Sequence, residues 1–213
     1  MIQQLKMVKM STKLIPLSIP NICGNEWKYI KDCLDTGWIS SVGGYVNKFE
    51  EAIQKYTGAK YAIACVNGTA GLQVSLNLAG VTNNDIVIVP NLTFVASLNA
   101  ISYTGAQSVL IDVCKSSWQI DTNLIQKWLE NNTSTIIVDG KPITTENLTK
   151  KKVSAIMPVY VLGGFINVKE LLDISTTYGI PLVEDSTEAL GSFIKEKHAG
   201  TFGDAGCFSF YPT

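Results

Sequence analysis

Three short stretches of this sequence carry residue types at spacings that could do chemistry. Asn67-Gly68-Thr69-Ala70-Gly71 follows an apolar run and opens a helical pattern. A helix start presents unpaired N–H groups and partial positive charge, Gly68 permits close approach, and Thr69 adds a hydroxyl, so the stretch suits a phosphate. Thr69 acting only as the helix N-cap is the other reading. The stretch is neither a P-loop nor a G-x-G-x-x-G fingerprint, which weakens the case for ATP or NAD. Thr93-Phe94 follows Val87-Ile88-Val89-Pro90 and sets an aromatic ring where the next helix begins, either in the core or against a planar ligand. In Pro181-Leu182-Val183-Glu184-Asp185-Ser186-Thr187-Glu188 an apolar strand runs straight into carboxylates. Carboxylates at a buried strand end need a cation or a donor, unless one caps the segment that follows. All three stretches lie just past apolar runs, where ligands of open α/β sheets gather. A phosphate cradle, a flat apolar face and a carboxylate able to hold a pyridinium are together what pyridoxal phosphate needs.

The elements that must position these groups are readable from periodicity. Asn25 is expected to cap a helix carrying Trp27, Ile30 and Leu34 and closed by Gly37; a second helix carries Val46, Phe49, Ile53 and Tyr56 and is closed by Gly58. From residue 61 onward, short apolar runs alternate with helical segments. The runs are 61–66, 86–89, 109–111, 153–161 and 180–183; the helices are 69–78, 94–103, 124–129 and one with the stripe Val168, Leu171, Leu172, Ser175 and Tyr178. That alternation predicts an α/β fold with helices covering a mostly parallel sheet. Asp139-Gly140, a tight-turn dipeptide, predicts a surface hairpin that interrupts the alternation. Residues 1–13 read as a weakly ordered leader, and 14–213 as one domain.

Composition excludes several functions. Net charge is −1, and Lys150-Lys151-Lys152 is the only compact basic cluster, so there is no footprint for nucleic acid. All 17 basic residues are lysine, which removes the arginine fork for bidentate anion binding. Five scattered cysteines without a C-x-x-C pair argue against a disulfide framework or a zinc site and suggest a reduced, cytoplasmic protein. No stretch approaches the length of a membrane helix. The single histidine, His198, lies in a hydrophilic stretch and is expected on the surface without a catalytic role.

These motifs, taken in order, resemble one family. Gly37-Trp38-Ile39-Ser40-Ser41, Asn67-Gly68-Thr69-Ala70, Pro90 with Thr93-Phe94, Gly105-Ala106 before a strand ending in Asp112, Glu184-Asp185, Gly200-Thr201 and Cys207-Phe208-Ser209-Phe210 look like the N-terminal half of the DegT-type nucleotide-sugar aminotransferases. These are fold type I pyridoxal-phosphate enzymes. The stretch Ile15-Pro16-Leu17-Ser18-Ile19-Pro20-Asn21 with Gly24-Asn25-Glu26-Trp27, the Asp139 excursion and Glu188 look most like the subgroup of legionaminic-acid and other surface-polysaccharide pathways.

The resemblance implies the large domain of a three-layer type I transferase, incomplete at its C-terminus. It implies pyridoxal 5'-phosphate as cofactor, a nucleotide-linked keto-sugar and an amino donor, glutamate, as substrates, and a homodimer in the full-length protein. By the same resemblance Asp185 would meet the pyridine nitrogen, Gly68, Thr69, Ala70 and Ser209 would hold the phosphate, and Phe94 would stack on the ring. Glu188 stands where the wider family often has Gln near the cofactor's phenolic oxygen, and would repel a phenolate unless protonated or turned aside. Tyr160 stands where relatives often carry His, and Gln73 replaces an apolar or His position. The family's catalytic lysine would be residue 214, one past Thr213, so the 213 residues alone are expected to be inactive. A lysine-lacking dehydratase relative and a non-catalytic remnant are the alternatives.

Overall fold

Ile86–Pro90 forms the first strand, β1, and each of its residues is buried in the computed structural model of the chain, which describes Pro16, residues 19–40 and residues 42–210. Its side chains alternate between two cores, as a strand's period of two requires. Ile86 and Ile88 join one cluster, with Ile125 and Leu129 of α5 (Thr122–Asn132) and Leu171 and Ile174 of α6 (Val168–Tyr178). Val87 and Val89 join the other, with Leu72 and Leu76 of α3 (Gly68–Leu78) and Ala100 and Ile101 of α4 (Val95–Tyr103). A strand apolar on both faces has to be central, and burying each such side chain is worth about 1.5–3 kcal/mol.

β1 pairs in parallel with β2 (Gln107–Ile111) on one side and β5 (Val153–Ile156) on the other. β6 (Val183–Asp185) pairs in parallel with β9 (Ala205–Cys207). Parallel bridges Ile156 to Leu182 and Val159 to Asp185 join β5 to β6, giving the order β2-β1-β5-β6-β9. Strand order reverses at β1, so right-handed crossovers carry α4 to one face and α5 and α6 to the other. The result is the expected three-layer α/β arrangement.

The hairpin at Asp139-Gly140 forms as expected, from β3 (Thr133–Val138) and β4 (Lys141–Glu146). Both turn residues have positive φ, 50° and 75°, the geometry that an Asp-Gly pair favours in a two-residue hairpin turn. Helix α2 spans Gly44–Thr57 and ends at Gly58, φ 74°.

Of the described residues, those up to Ile39 fall in one compact unit and those from Ser40 onward in another. The first contains α1 (Glu26–Thr36), closed by Gly37 at φ 75°. Asn25 takes the N-cap position without a side-chain cap bond. The expected leader, residues 1–13, lies outside the described residues.

Two expectations need correction. The run 61–66 is not a strand: Tyr61, Ile63 and Val66 are exposed, and the segment has no ladder partner. Apolar alternation supplies the faces of a strand, but a strand exists only where a neighbour accepts its hydrogen bonds. His198 is buried, not superficial. It lies on β8 (Lys197–His198), the second strand of a short hairpin with β7 (Phe193–Ile194), with its ring packed edge-on to Tyr56, Phe193 and Phe208. Its Nε2 accepts from Gly191 N–H at 2.8 Å, which leaves Nδ1–H to donate to Ala199 O at 2.5 Å. Ring packing and two local bonds carried this histidine inward despite its charged neighbours. Both ring nitrogens of His198 are thus engaged by neighbouring backbone groups.

Candidate functional site

The carboxyl ends of β1, β6 and β9 face the same edge of the sheet, because the strands are parallel. β1 leads to Thr93 and Phe94, β6 ends on Asp185, and β9 leads to Ser209. Side chains from three distant stretches are therefore delivered to one rim.

At α3, Asn67 is the N-cap: its side chain accepts from Ala70 N–H at 2.9 Å, and its carbonyl accepts from Gly71 N–H at 3.1 Å. Thr69 is thus inside the first turn and is not the cap. Among the described residues the N–H groups of Gly68 and Thr69 have no acceptor, nor has the Thr69 hydroxyl a partner. These are the donors a helix start leaves for an anion. The chain after β9 closes against them. A Cβ on Gly68 would lie 3.0 Å from Ser209 Cβ and 3.3 Å from its Oγ, so the absence of a side chain is what lets Ser209 sit at the helix start. Cys207 Sγ donates to Gly68 O at 3.3 Å, and a Cβ on Gly71 would lie 2.8 Å from that sulfur. The Cys207 thiol is pushed up to about 12, by burial first and then by Asp185 and Cys65, so it is a packing group and not a nucleophile.

Phe94 sits at the N-cap position of α4 with an extended backbone and its side chain 77% exposed. It lines a cleft of about 390 Å³ with Asn67, Thr69 and Ala70 of the α3 start, and with Gln73, Asn99 and Tyr103. A ring this exposed is not part of the core, so the core reading of Phe94 does not hold.

Glu184 and Asp185 point to opposite faces, as neighbours on a strand must. Glu184 is 1% exposed and serves the fold: Oε2 accepts from Tyr160 O–H at 2.6 Å and Gly200 N–H at 3.0 Å, Oε1 from Phe202 N–H at 2.8 Å and Gly203 N–H at 2.6 Å. Burial, and then the Glu184 carboxylate, hold the Tyr160 phenol far above its ordinary range. Asp185 serves the rim. Its Oδ2 accepts from Ser97 O–H at 2.6 Å, and its Oδ1 accepts from Thr187 O–H at 2.7 Å and Thr187 N–H at 3.2 Å. Ser97 is one turn into α4 from Phe94, and its N–H donates to Phe94 O at 3.1 Å. Donors, then, meet both carboxylates.

Glu188 takes a different place. Its Oε2 accepts from Leu162 N–H at 2.6 Å, in the short turn Val161–Gly163 where Leu162 has φ 53°. Among the described residues it bonds to this turn and to none of the groups at the rim. Ser97, Thr93 and Thr187 had not been singled out for their hydroxyls. The i, i+4 spacing of Thr93 and Ser97 and the i, i+2 spacing of Asp185 and Thr187 were the available signals.

The arrangement fits a cofactor with a phosphate at one end and a basic ring nitrogen. Free N–H groups and two hydroxyls, from Thr69 and Ser209, stand at the α3 start, and an acceptor-only carboxylate is held at the β6 end. Among the described residues no group of three or more His, Cys, Asp or Glu side chains could hold a metal ion, and no helix is long and apolar enough to cross a membrane.

Known proteins share this sequence pattern and this fold. The profile of the DegT/DnrJ/EryC1/StrS aminotransferase family matches residues 20–213. GDP-perosamine synthase of Escherichia coli O157:H7 is 35% identical over 199 residues, 93% of this chain and 49% of that protein. Among solved structures, 3-amino-5-hydroxybenzoic acid synthase aligns with a TM-score of 0.75 at 28% identity, over 92% of this chain and 46% of that one. The PLP form of Spr1654 from Streptococcus pneumoniae aligns with a TM-score of 0.76 at 26% identity, over 93% and 49%. The chain spans about half the length of the relatives it matches.

Proposed function

The chain belongs to the DegT/DnrJ/EryC1/StrS aminotransferase family, and from that premise we propose that its protein moves an amino group from glutamate to the keto group of a nucleotide-linked sugar, using pyridoxal 5'-phosphate, in the making of a surface polysaccharide. The observation that carries this reading is the pairing of an open α3 start, closed over by Ser209, with a hydroxyl-bound Asp185 on the same rim. The similarity to GDP-perosamine synthase supports the nucleotide-sugar part.

When bound, pyridoxal phosphate supplies an aldehyde that exchanges for an amine and a ring that withdraws electrons. The chain's own residues divide the remaining work. N–H groups of Gly68 and Thr69, with the hydroxyls of Thr69 and Ser209, bind the phosphate; Ala70 shapes the same turn. Asp185 holds a proton at the ring nitrogen, the state in which the ring withdraws electrons best. Phe94 covers one ring face and keeps water from it. Glu188, held by Leu162 N–H, is placed by that bond as a neighbour of the Val161–Gly163 turn, which makes it a shaping residue more than a proton carrier. The resemblance assigns the proton transfer between carbons to a lysine at position 214. A polypeptide of residues 1–213 alone is accordingly expected to bind the cofactor without turnover, since general acid/base catalysis is worth about 10²–10⁴ in rate.

The test is isotopic. The cofactor-loaded protein, carrying the predicted lysine, is given ¹⁵N-glutamate and a GDP-linked 4-keto sugar, and the sugar is analysed by mass spectrometry. Appearance of ¹⁵N in the sugar is expected. A product that has lost water without gaining nitrogen, or no product at all, would overturn transamination.

A further inference from the structure

Asp185 is gripped by more of the chain than a strand end requires. Ser97 reaches it from α4, 88 residues away in sequence, and Thr187 from the turn just past β6. Ser97 is 1% exposed, so its hydroxyl has no water to fall back on. Its surroundings also fix the direction of the hydrogen bonds. A serine hydroxyl owns one hydrogen, and here that hydrogen goes to Asp185 Oδ2 at 2.6 Å. Thr93 Oγ1 lies 2.7 Å from Ser97 Oγ. In that contact Ser97 has only lone pairs to offer, so Thr93 is the donor. The competing acceptor for the Thr93 hydrogen is Phe94 O at 3.3 Å, longer by more than half an ångström. The hydrogens therefore run one way, from Thr93 to Ser97 to Asp185.

This order has two consequences. Asp185 Oδ2 is fixed as an acceptor, and its oxygens are pinned from two independent elements, which removes the freedom of the carboxylate to rotate. Second, Phe94 is the N-cap of α4, Thr93 immediately precedes it and Ser97 lies in the first turn that follows. The turn that presents the aromatic face also sets the carboxylate, so a shift of α4 would move both together.

We propose that Ser97, oriented by Thr93, is a positioning residue for the ring-nitrogen contact: through its hydroxyl it holds Asp185 in one rotamer with Oδ2 as acceptor. The proposal rests on the pyridoxal-phosphate reading. It goes beyond that reading by assigning roles to two hydroxyls that touch no cofactor atom themselves. A serine that merely filled space in the core would affect every ligand, and the fold, alike. A positioning serine affects only a ligand that has the ring nitrogen.

Equilibrium binding to the 213-residue chain separates these cases, with two ligands: pyridoxal phosphate, and its analogue with C–H in place of the ring nitrogen. Ser97→Ala is expected to weaken pyridoxal phosphate by about tenfold or more, the usual range for a lost hydrogen bond to a charged group. The analogue should be bound as by the parent chain. Ser97→Thr keeps a hydroxyl and is expected to retain binding, while Ser97→Val, of the same shape, loses it. That isosteric pair decides the matter even if Ser97→Ala does not fold. Thr93→Val should show the same ligand-selective loss, smaller in size. Equal weakening of both ligands, no weakening of either, or equal binding by the Thr and Val variants would overturn the positioning role. If the parent chain binds neither ligand, the cofactor reading itself fails and this inference falls with it.

Discussion

At the scale of single residues, the division of labour between Glu184 and Asp185 organises the site. Adjacent positions on β6 send one carboxylate to each face. Glu184 collects four donors from Tyr160 and the 200–203 segment and fastens that segment beneath the sheet. Asp185, bound by hydroxyls, is left to face the rim. Glu184→Gln would keep the volume and replace one acceptor with a donor that opposes N–H or O–H. A buried carboxylate with this many partners should cost about 2–4 kcal/mol when so altered. Chemical denaturation measures it, and a loss under about 0.5 kcal/mol would show that the four bonds contribute little. The sequence marked both carboxylates as needing partners but could not say which served the fold. That depends on which face each one takes, and three of Glu184's donors lie 16 to 19 residues downstream in a segment with no regular pattern. The placement of Asp185, Thr69, Phe94 and Ser209 at one rim was legible because each follows a strand or opens a helix. Ser97 was hidden inside an ordinary amphipathic turn.

At the scale of elements, the contact of α3 with β9 builds the proposed phosphate end. Gly68 and Gly71, three apart on the helix, face Cys207 and Ser209, two apart on the strand and its extension, and each glycine leaves room for one side chain. Neither site is open to a larger residue. In Gly68→Ala the new Cβ would press on Ser209 at 3.0 Å, and Ser209 would have to retreat from the helix start. Alanine is a better helix former than glycine, so stability should hold or rise slightly while affinity for pyridoxal phosphate drops by about tenfold. Thermal melting and ligand titration on the same sample check both halves. A variant that binds normally would show that Ser209 plays no part in the phosphate site. The helices were legible from their stripes and terminal glycines: α2 and α6 end on Gly58 and Gly179, both left-handed. The run 61–66 misled because its pattern specifies faces, whereas pairing depends on a neighbour that the pattern does not contain.

For the whole molecule, parallel strands set the position of the candidate site. One central strand buried on both faces fixes three layers, and the shared direction of β1, β6 and β9 brings residues 93–94, 185 and 209 to one rim beside the start of α3. The alternation of runs and helices made this architecture readable before any geometry was known, since only a covered parallel sheet satisfies it. The buried histidine was not readable, because its burial depends on the rings of Tyr56, Phe193 and Phe208 from separate segments. The central claim is that this rim is a pyridoxal-phosphate cradle oriented by Asp185. Its most direct test is calorimetric titration of the folded chain with pyridoxal phosphate, beside an Asp185→Ala variant of verified fold. The account predicts saturable binding at one site, weakened at least about tenfold by the substitution. Absence of saturable binding, or equal affinity in the two proteins, would contradict it.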